Sequence, residues 1–97
     1  MTERESAEQQ PESVYPVLVW AKESGVNIRD NTDFGTIVGK TVADQQFDQV
    51  GPSENGARYE ATCGVDYGSD LWTPVSYDGY IRFIPTSCGY YKDELAE

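Results

Sequence analysis

The sequence has 97 residues, of which 17 are Asp or Glu, 7 are Lys or Arg and none is His, and its formal net charge is −10. This length predicts one domain with a small core. The negative charge repels nucleic acid phosphates and anionic lipid, and no apolar run approaches the roughly 20 residues of a membrane helix. We therefore expect neither a nucleic acid nor a membrane partner.

Polar, charged segments stand at both ends of the sequence. Residues 1–13 are rich in Glu and Gln and contain Pro11, which predicts a disordered acidic tail, with a short helix formed on a partner as the alternative. Residues 92–97 predict a second acidic tail. The first ten residues lack the apolar core of a secretory signal. We therefore expect a cytoplasmic protein, although a mature form that has lost its signal is not excluded.

Between the tails, residues 14–91 predict one domain of short β-strands. The β-branched and aromatic runs that predict strands are, in chain order, 14–21, 26–29, 36–38, 41–50, 59–63, 71–75 and 80–84. Asp78-Gly79 predicts a hairpin turn, and residues 85–91 predict a compact turn or a single 3₁₀ turn. No segment has a helical period over ten or more residues, so we expect an all-β fold.

Aromatic and charged residues within these runs predict a few contacts. Trp20, Phe47 and Phe83 lie in apolar alternation, and we expect them in the core. Arg29 precedes an acidic loop, which we expect it to hold by pairing with Asp30 or Asp33.

The two cysteines, Cys63 and Cys88, are 25 residues apart and do not form a Cys-x-x-Cys pair. Two cysteines alone make a poor metal site. On neighbouring strands they can form a disulfide; otherwise they pack as small apolar side chains. Because no secretory signal is seen, we expect reduced thiols.

The residues needed for common catalytic sites are missing. The absence of histidine removes the commonest general base, the Ser–His and Cys–His couples and most zinc sites. No phosphate-binding loop or nucleophile elbow is present. Three pairs of aspartates lie close together in the sequence: Asp30/Asp33, Asp44/Asp48 and Asp66/Asp70. We interpret them as solvated loop carboxylates. The first pair lacks the glycine and the terminal Glu of a calcium-binding loop. We expect no enzyme activity, cofactor or metal.

Several short motifs follow one another over residues 17–91. Val26-Asn27-Ile28-Arg29 is followed by a polar loop and Ile37-Val38-Gly39-Lys40, and later come Trp72-x-x-Val75 and Gly79-Tyr80-Ile81. This series resembles the bacterial SH3-like (SH3b) family, with its "LNVR" strand, "IG" turn, "W-x-K-V" strand and "G-(Y/W)-V" hairpin. The resemblance implies a small SH3-like barrel of five to seven short strands.

The resemblance also implies a binding groove. Trp72, Pro85 and Tyr90 resemble groove positions, and acids beside them would select a cationic ligand. The predicted ligand-binding residues are Asp30, Asp33, Asp70, Trp72, Pro85 and Tyr90.

These observations favour a non-catalytic binding module. Its expected partner is a protein or peptide with basic groups, and a small acidic inhibitor or immunity-type protein fits the size and charge. The alternatives are a cell-wall module that binds peptidoglycan peptides, and a structural subunit that self-associates through an edge such as Val17 to Ala21. The sequence does not determine the oligomeric state.

Overall fold

The computed structural model describes residues 15–92, and most of both predicted tails lies outside this range. Eight strands and one 3₁₀ turn follow one another along the chain. They are β1 (Val17–Ala21), β2 (Asn27–Arg29), β3 (Ile37–Lys40), β4 (Gln46–Gln49), β5 (Glu54–Tyr59), β6 (Ser69–Tyr77), β7 (Tyr80–Pro85), the 3₁₀ turn (Thr86–Cys88) and β8 (Gly89–Tyr90).

The strands form one antiparallel sheet in the order β3-β2-β7-β6-β4-β1-β8, and β5 pairs with β6. The sheet curls, because strands from both halves of this order bury their side chains in one core. That core consists of Val19, Ala21, Ile28, Phe47, Val75 and Ile84. Alternate residues of each strand point to opposite faces, so Val19 and Ala21 face inward while Leu18 and Trp20 face outward.

The all-β prediction is confirmed, but the sheet has eight strands rather than five to seven. Two predicted strands are misplaced. Residues 41–45, predicted as part of a strand, form a loop whose Asp44 amide donates to the Ala21 carbonyl. β5 begins at Glu54, in a segment predicted as a loop, and residues 60–63 follow it. The position of β5 is set by its pairing with the long strand β6, in which Asn55 lies opposite Leu71 and Tyr59 opposite Ser69.

The expected core aromatics differ in burial. Phe47 is buried, as predicted, whereas Trp20 and Phe83 are half-buried. Trp20 takes the outward position of β1 between two inward residues. β1 is also no open edge at this point, since it pairs with β4 on one side and with β8 at Trp20 and Ala21 on the other.

Both predicted turns are confirmed. Asp78 and Gly79 have φ angles of 55° and 85°, the positive values that a type I′ hairpin turn requires. They join Tyr77 to Tyr80 in the β6–β7 hairpin. The compact turn predicted after β7 is the 3₁₀ turn.

Cys63 and Cys88 form a disulfide, with their Cα atoms 5.1 Å apart. The expectation of reduced thiols is therefore wrong. Both cysteines are buried, because the loop after β5 packs onto the 3₁₀ turn. The bond ties that loop to the segment that leads into β8.

Within residues 15–92, no helix has the length and apolar character needed to cross a bilayer.

Replacing both Cys63 and Cys88 by Ser should lower the free energy of unfolding by about 2–4 kcal/mol, because the unfolded chain loses a covalent constraint. Urea denaturation of the wild type and the double variant measures the difference. Alkylation of the native protein followed by intact-mass analysis gives the control. Two alkylated thiols without any reductant would contradict the disulfide.

Candidate functional site

A pocket of about 500 Å³ opens beside β2 and the end of β5. Three elements surround it: the β1–β2 loop, the loop from residue 30 to residue 36, and the segment that follows β5. Its aromatic lining consists of Phe34, Tyr59 and Trp72, and Pro85 and Cys88 also line it. We call this cavity the Phe34 pocket.

Trp72 forms the inner wall of the Phe34 pocket. It is 1% exposed, and its indole Nε1 donates to the Ala57 carbonyl over 3.0 Å. Its ring makes T-shaped contacts with Phe34 and Tyr59, with centroid separations of 5.4 Å and 5.3 Å. The Tyr59 hydroxyl donates to the Leu71 carbonyl. Trp72 is thus fixed by both polar and edge-to-face contacts.

Phe34 is held in a backbone conformation that is unusual for an aromatic residue. Its φ angle is 55°, in the left-handed region that bulky residues rarely enter. Its side chain is nevertheless 46% exposed, although it contacts Trp72 in a T-shaped arrangement. Sequence reasoning missed Phe34, although an isolated aromatic between Asp33 and Gly35 in a polar turn was a signal.

The loop that carries Phe34 is fastened at two points. The Arg29 guanidinium donates to the Gly35 carbonyl over 3.0 Å and lies 5.0 Å from the Phe34 ring centroid. The Ala57 amide of β5 donates to the Thr32 carbonyl over 2.7 Å. Arg29 therefore holds the loop, as expected, but through a carbonyl and a ring rather than by pairing with Asp30 or Asp33.

Opposite charges balance around the Phe34 pocket. Arg29 and Arg58 line it together with Glu23 and Glu60. Residues 15–92 as a whole contain ten acids and six bases, so the pocket is less acidic than the rest of the surface. A ligand there meets guanidinium donors and carboxylate acceptors at once.

The structure brings together two of the six predicted ligand-binding residues. Trp72 and Pro85 line the Phe34 pocket, whereas Asp30, Asp33 and Asp70 are not among its lining residues.

Each of these three aspartates has a local environment of its own. Asp70 accepts a hydrogen bond from Asn55. The Asp33 amide donates to the Asn31 side chain. The Oδ1 atom of Asp30 is buried without a hydrogen-bond partner.

Tyr90, the sixth predicted residue, lies in a different cluster at the edge of the sheet. Its hydroxyl donates to the Asp44 carboxylate, and its ring is tilted against that of Trp20. The hydrogen bond to Asp44, with desolvation and the negative charge of Asp44, raises the pKa of Tyr90 above its ordinary 10.0.

No group of three or more His, Cys, Asp or Glu side chains in residues 15–92 is arranged to hold a metal ion.

Gly56→Ala should destabilise the fold by about 1–3 kcal/mol, as overpacking does. A Cβ at this position would lie 2.3 Å from the Thr32 carbonyl oxygen and push the Phe34 loop outward. Gly51→Ala is the matched control, since its Cβ meets only Pro74 at 3.9 Å. Urea denaturation of the two variants measures the difference in stability. Equal midpoints would argue against a close contact between Gly56 and the Thr32 carbonyl.

The pKa of Tyr90 should fall when Asp44 is replaced by Asn, because the carboxylate favours the protonated hydroxyl. The stabilisation from this hydrogen bond is present at neutral pH and is lost as the pH rises through the raised pKa. Titration of the tyrosine ring ¹³Cζ resonances follows each hydroxyl separately. An unchanged Tyr90 titration in Asp44→Asn would exclude the proposed cause.

Comparison of this chain with protein-family models, with curated proteins and with solved structures finds no match. The resemblance to the SH3-like family therefore rests on its short sequence motifs.

Proposed function

We propose that this chain is a non-catalytic binding module whose Phe34 pocket takes a segment of a protein or peptide partner with basic groups. The observation that carries this proposal is Phe34 itself. Its half-exposed ring contacts the buried Trp72, and both residues line the cavity.

The backbone at Phe34 supports a binding role. A residue held in a sparsely populated conformation costs about 1–3 kcal/mol, and such residues cluster at ligand sites. Gly or Asn would adopt the φ angle of 55° with less strain. Phe supplies instead an apolar ring, which contacts with Trp72 and Arg29 already orient.

The charged groups of the Phe34 pocket favour a peptide ligand, and its size admits a short segment of one. Its volume of about 500 Å³ is within the range of about 300–1,000 Å³ typical of small-ligand sites. Arg29 and Arg58 supply donors for peptide carbonyls or a carboxylate. Glu23 and Glu60 supply acceptors for the basic groups of the partner.

The wider surface favours a basic partner. Ten acids face six bases in residues 15–92, and three of those bases lie over aromatic rings: Arg29, Arg82 and Lys92. The remaining negative field steers a cationic protein toward the surface. An acidic inhibitor or immunity-type protein acting in a one-to-one complex is the form that we propose.

The disulfide supports a proposal about the compartment. Cys63 and Cys88 are joined, and structural disulfides are rare in cytosolic proteins and common in secreted ones. We therefore infer an oxidising compartment in place of the expected cytoplasm. This observation also favours the alternative function, in which the Phe34 pocket binds peptidoglycan peptides at the cell wall.

Phe34→Ala should abolish binding while leaving the fold intact, because the ring is half-exposed. Tyr80→Ala is the matched control: Tyr80 is 63% exposed and also carries an arginine over its ring, but lies outside the Phe34 pocket. Trp72→Ala is unsuitable, since it would remove a buried side chain and destabilise the fold by about 3–5 kcal/mol.

The experiment is a pull-down with the wild type and both variants, at low and high salt. Secreted proteins and a purified wall fraction of the producing cells serve as separate pools. Capture of a basic protein that high salt and Phe34→Ala both abolish would support the proposal. Retention of that protein by Phe34→Ala would overturn it, and Phe34-dependent sedimentation with the wall fraction would favour the alternative.

A further inference from the structure

A second aromatic cluster lies on the outer face of the sheet, outside the Phe34 pocket. Trp20 of β1 and Tyr90 of β8 are directly opposite each other across the strand pair. Their ring centroids are 6.4 Å apart and their planes are tilted by 37°. Neighbouring side chains of this kind form a continuous surface, and both rings remain partly accessible.

A cation already occupies this surface. The Lys92 ammonium lies 4.9 Å from the centroid of Trp20 and 5.9 Å from that of Tyr90. Both separations are within the roughly 6 Å over which a ring attracts a cation. Lys92 follows Tyr90 by two residues, so the chain delivers its own ammonium group to the rings.

A carboxylate completes the cluster. Asp44 accepts the Tyr90 hydroxyl hydrogen bond, and its own amide donates to the Ala21 carbonyl over 2.8 Å. Its φ angle of 65° is in the left-handed region, which Asp tolerates better than most residues. The backbone of β1 thus fixes a negative charge at the hydroxyl of Tyr90.

We propose that Trp20, Tyr90 and Asp44 form a cation-binding site for a lysine or arginine side chain of a basic partner, and that Lys92 occupies this site in the free protein. Two rings and a carboxylate are the groups that bind an alkylammonium or guanidinium cation. Lys92 acts as an internal competitor, which the partner displaces.

Another cation–ring contact on the surface, between Arg82 and Tyr80, lacks the second ring and the carboxylate of the proposed site. Arg82 lies 4.7 Å from the Tyr80 ring centroid, and both residues belong to β7. That contact has one ring, whereas Lys92 faces two rings with Asp44 bonded to one of them. The Arg82–Tyr80 pair therefore provides a matched control.

This proposal extends the proposed function, since a basic partner would use both surfaces, but it does not depend on the Phe34 pocket. Acetyl-lysine-amide with a free side-chain ammonium is a suitable probe, and acetyl-norleucine-amide is its neutral analogue. NMR titration of the full chain follows the indole N–H resonance of Trp20, with that of Trp72 reporting separately on the Phe34 pocket.

Lys92→Ala should bind the lysine probe about two- to five-fold more tightly than the wild type, which is the fold-change that loss of an exposed cation–ring contact implies. Arg82→Ala should leave the affinity unchanged. Trp20→Ala removes the indole reporter, so its titration is followed through the backbone amides of Ala21 and Gly89, whose response it should abolish. Asp44→Asn should weaken the Trp20 response in a chain that keeps both rings. If Trp20→Ala does not fold, Asp44→Asn decides.

Equal affinities of the wild type and Lys92→Ala would overturn the proposal. So would equal binding of the norleucine probe, or an undiminished response in Asp44→Asn. Phe34→Ala should not change the response at Trp20. The proposal for the cation-binding site and the proposal for the Phe34 pocket are therefore tested independently.

Discussion

The arrangement of β5 and of the loop that carries Phe34 depends on the contacts of one buried side chain, that of Trp72. It lies on the longest strand, where β6 pairs with both β5 and β7. Its indole N–H binds the β5 backbone at Ala57, and the neighbouring amide of that residue holds the Phe34 loop. One side chain thus links the sheet, the β5 strand and the loop. The Phe34 pocket is the space that these three elements leave open.

Three of the six cationic side chains in residues 15–92 lie over aromatic rings. Arg29, Arg82 and Lys92 each lie within 5.0 Å of an aromatic centroid. An ion pair on an exposed surface contributes about 0–1 kcal/mol to stability. A contact between a cation and a ring contributes a similar amount and needs no carboxylate partner. The excess of ten acids over six bases in residues 15–92 supplies the long-range attraction. The Phe34 pocket departs from this acidity, because Arg29 and Arg58 balance two glutamates there.

Local chemistry decided which features the sequence could predict. The Asp78-Gly79 turn was predictable because the two positive φ angles select those residues, and the strands around Phe47 and Ile84 followed from alternation. β5 was not predictable, since Asn55 and Gly56 favour turns, and the strand forms because Glu54, Asn55 and Tyr59 pair with β6. The residues of the Phe34 pocket also divide into those that the sequence indicated and those that only the structure revealed. The motif order indicated Trp72 and Pro85. The sequence marked Phe34 only as an isolated aromatic in a polar turn, and its contact with Trp72 became visible in the structure. Arg58 became visible only through the packing of β5. The disulfide depended on a loop–turn contact that spacing does not reveal.

The pairing of β1 with β8 determines how the protein responds to a pulling force. Trp20 lies opposite Tyr90 and Ala21 opposite Gly89, so the outer ends of the two antiparallel strands leave the sheet in the same direction. Force applied to those ends loads the hydrogen bonds one at a time, like a zipper, rather than together in shear. On the C-terminal side the zipper can open only as far as Cys88, because its disulfide to Cys63 anchors the 3₁₀ turn to the rest of the chain. Under tension the protein would release β8 and the cation-binding surface first, and the covalent bond would hold the wall of the Phe34 pocket in place.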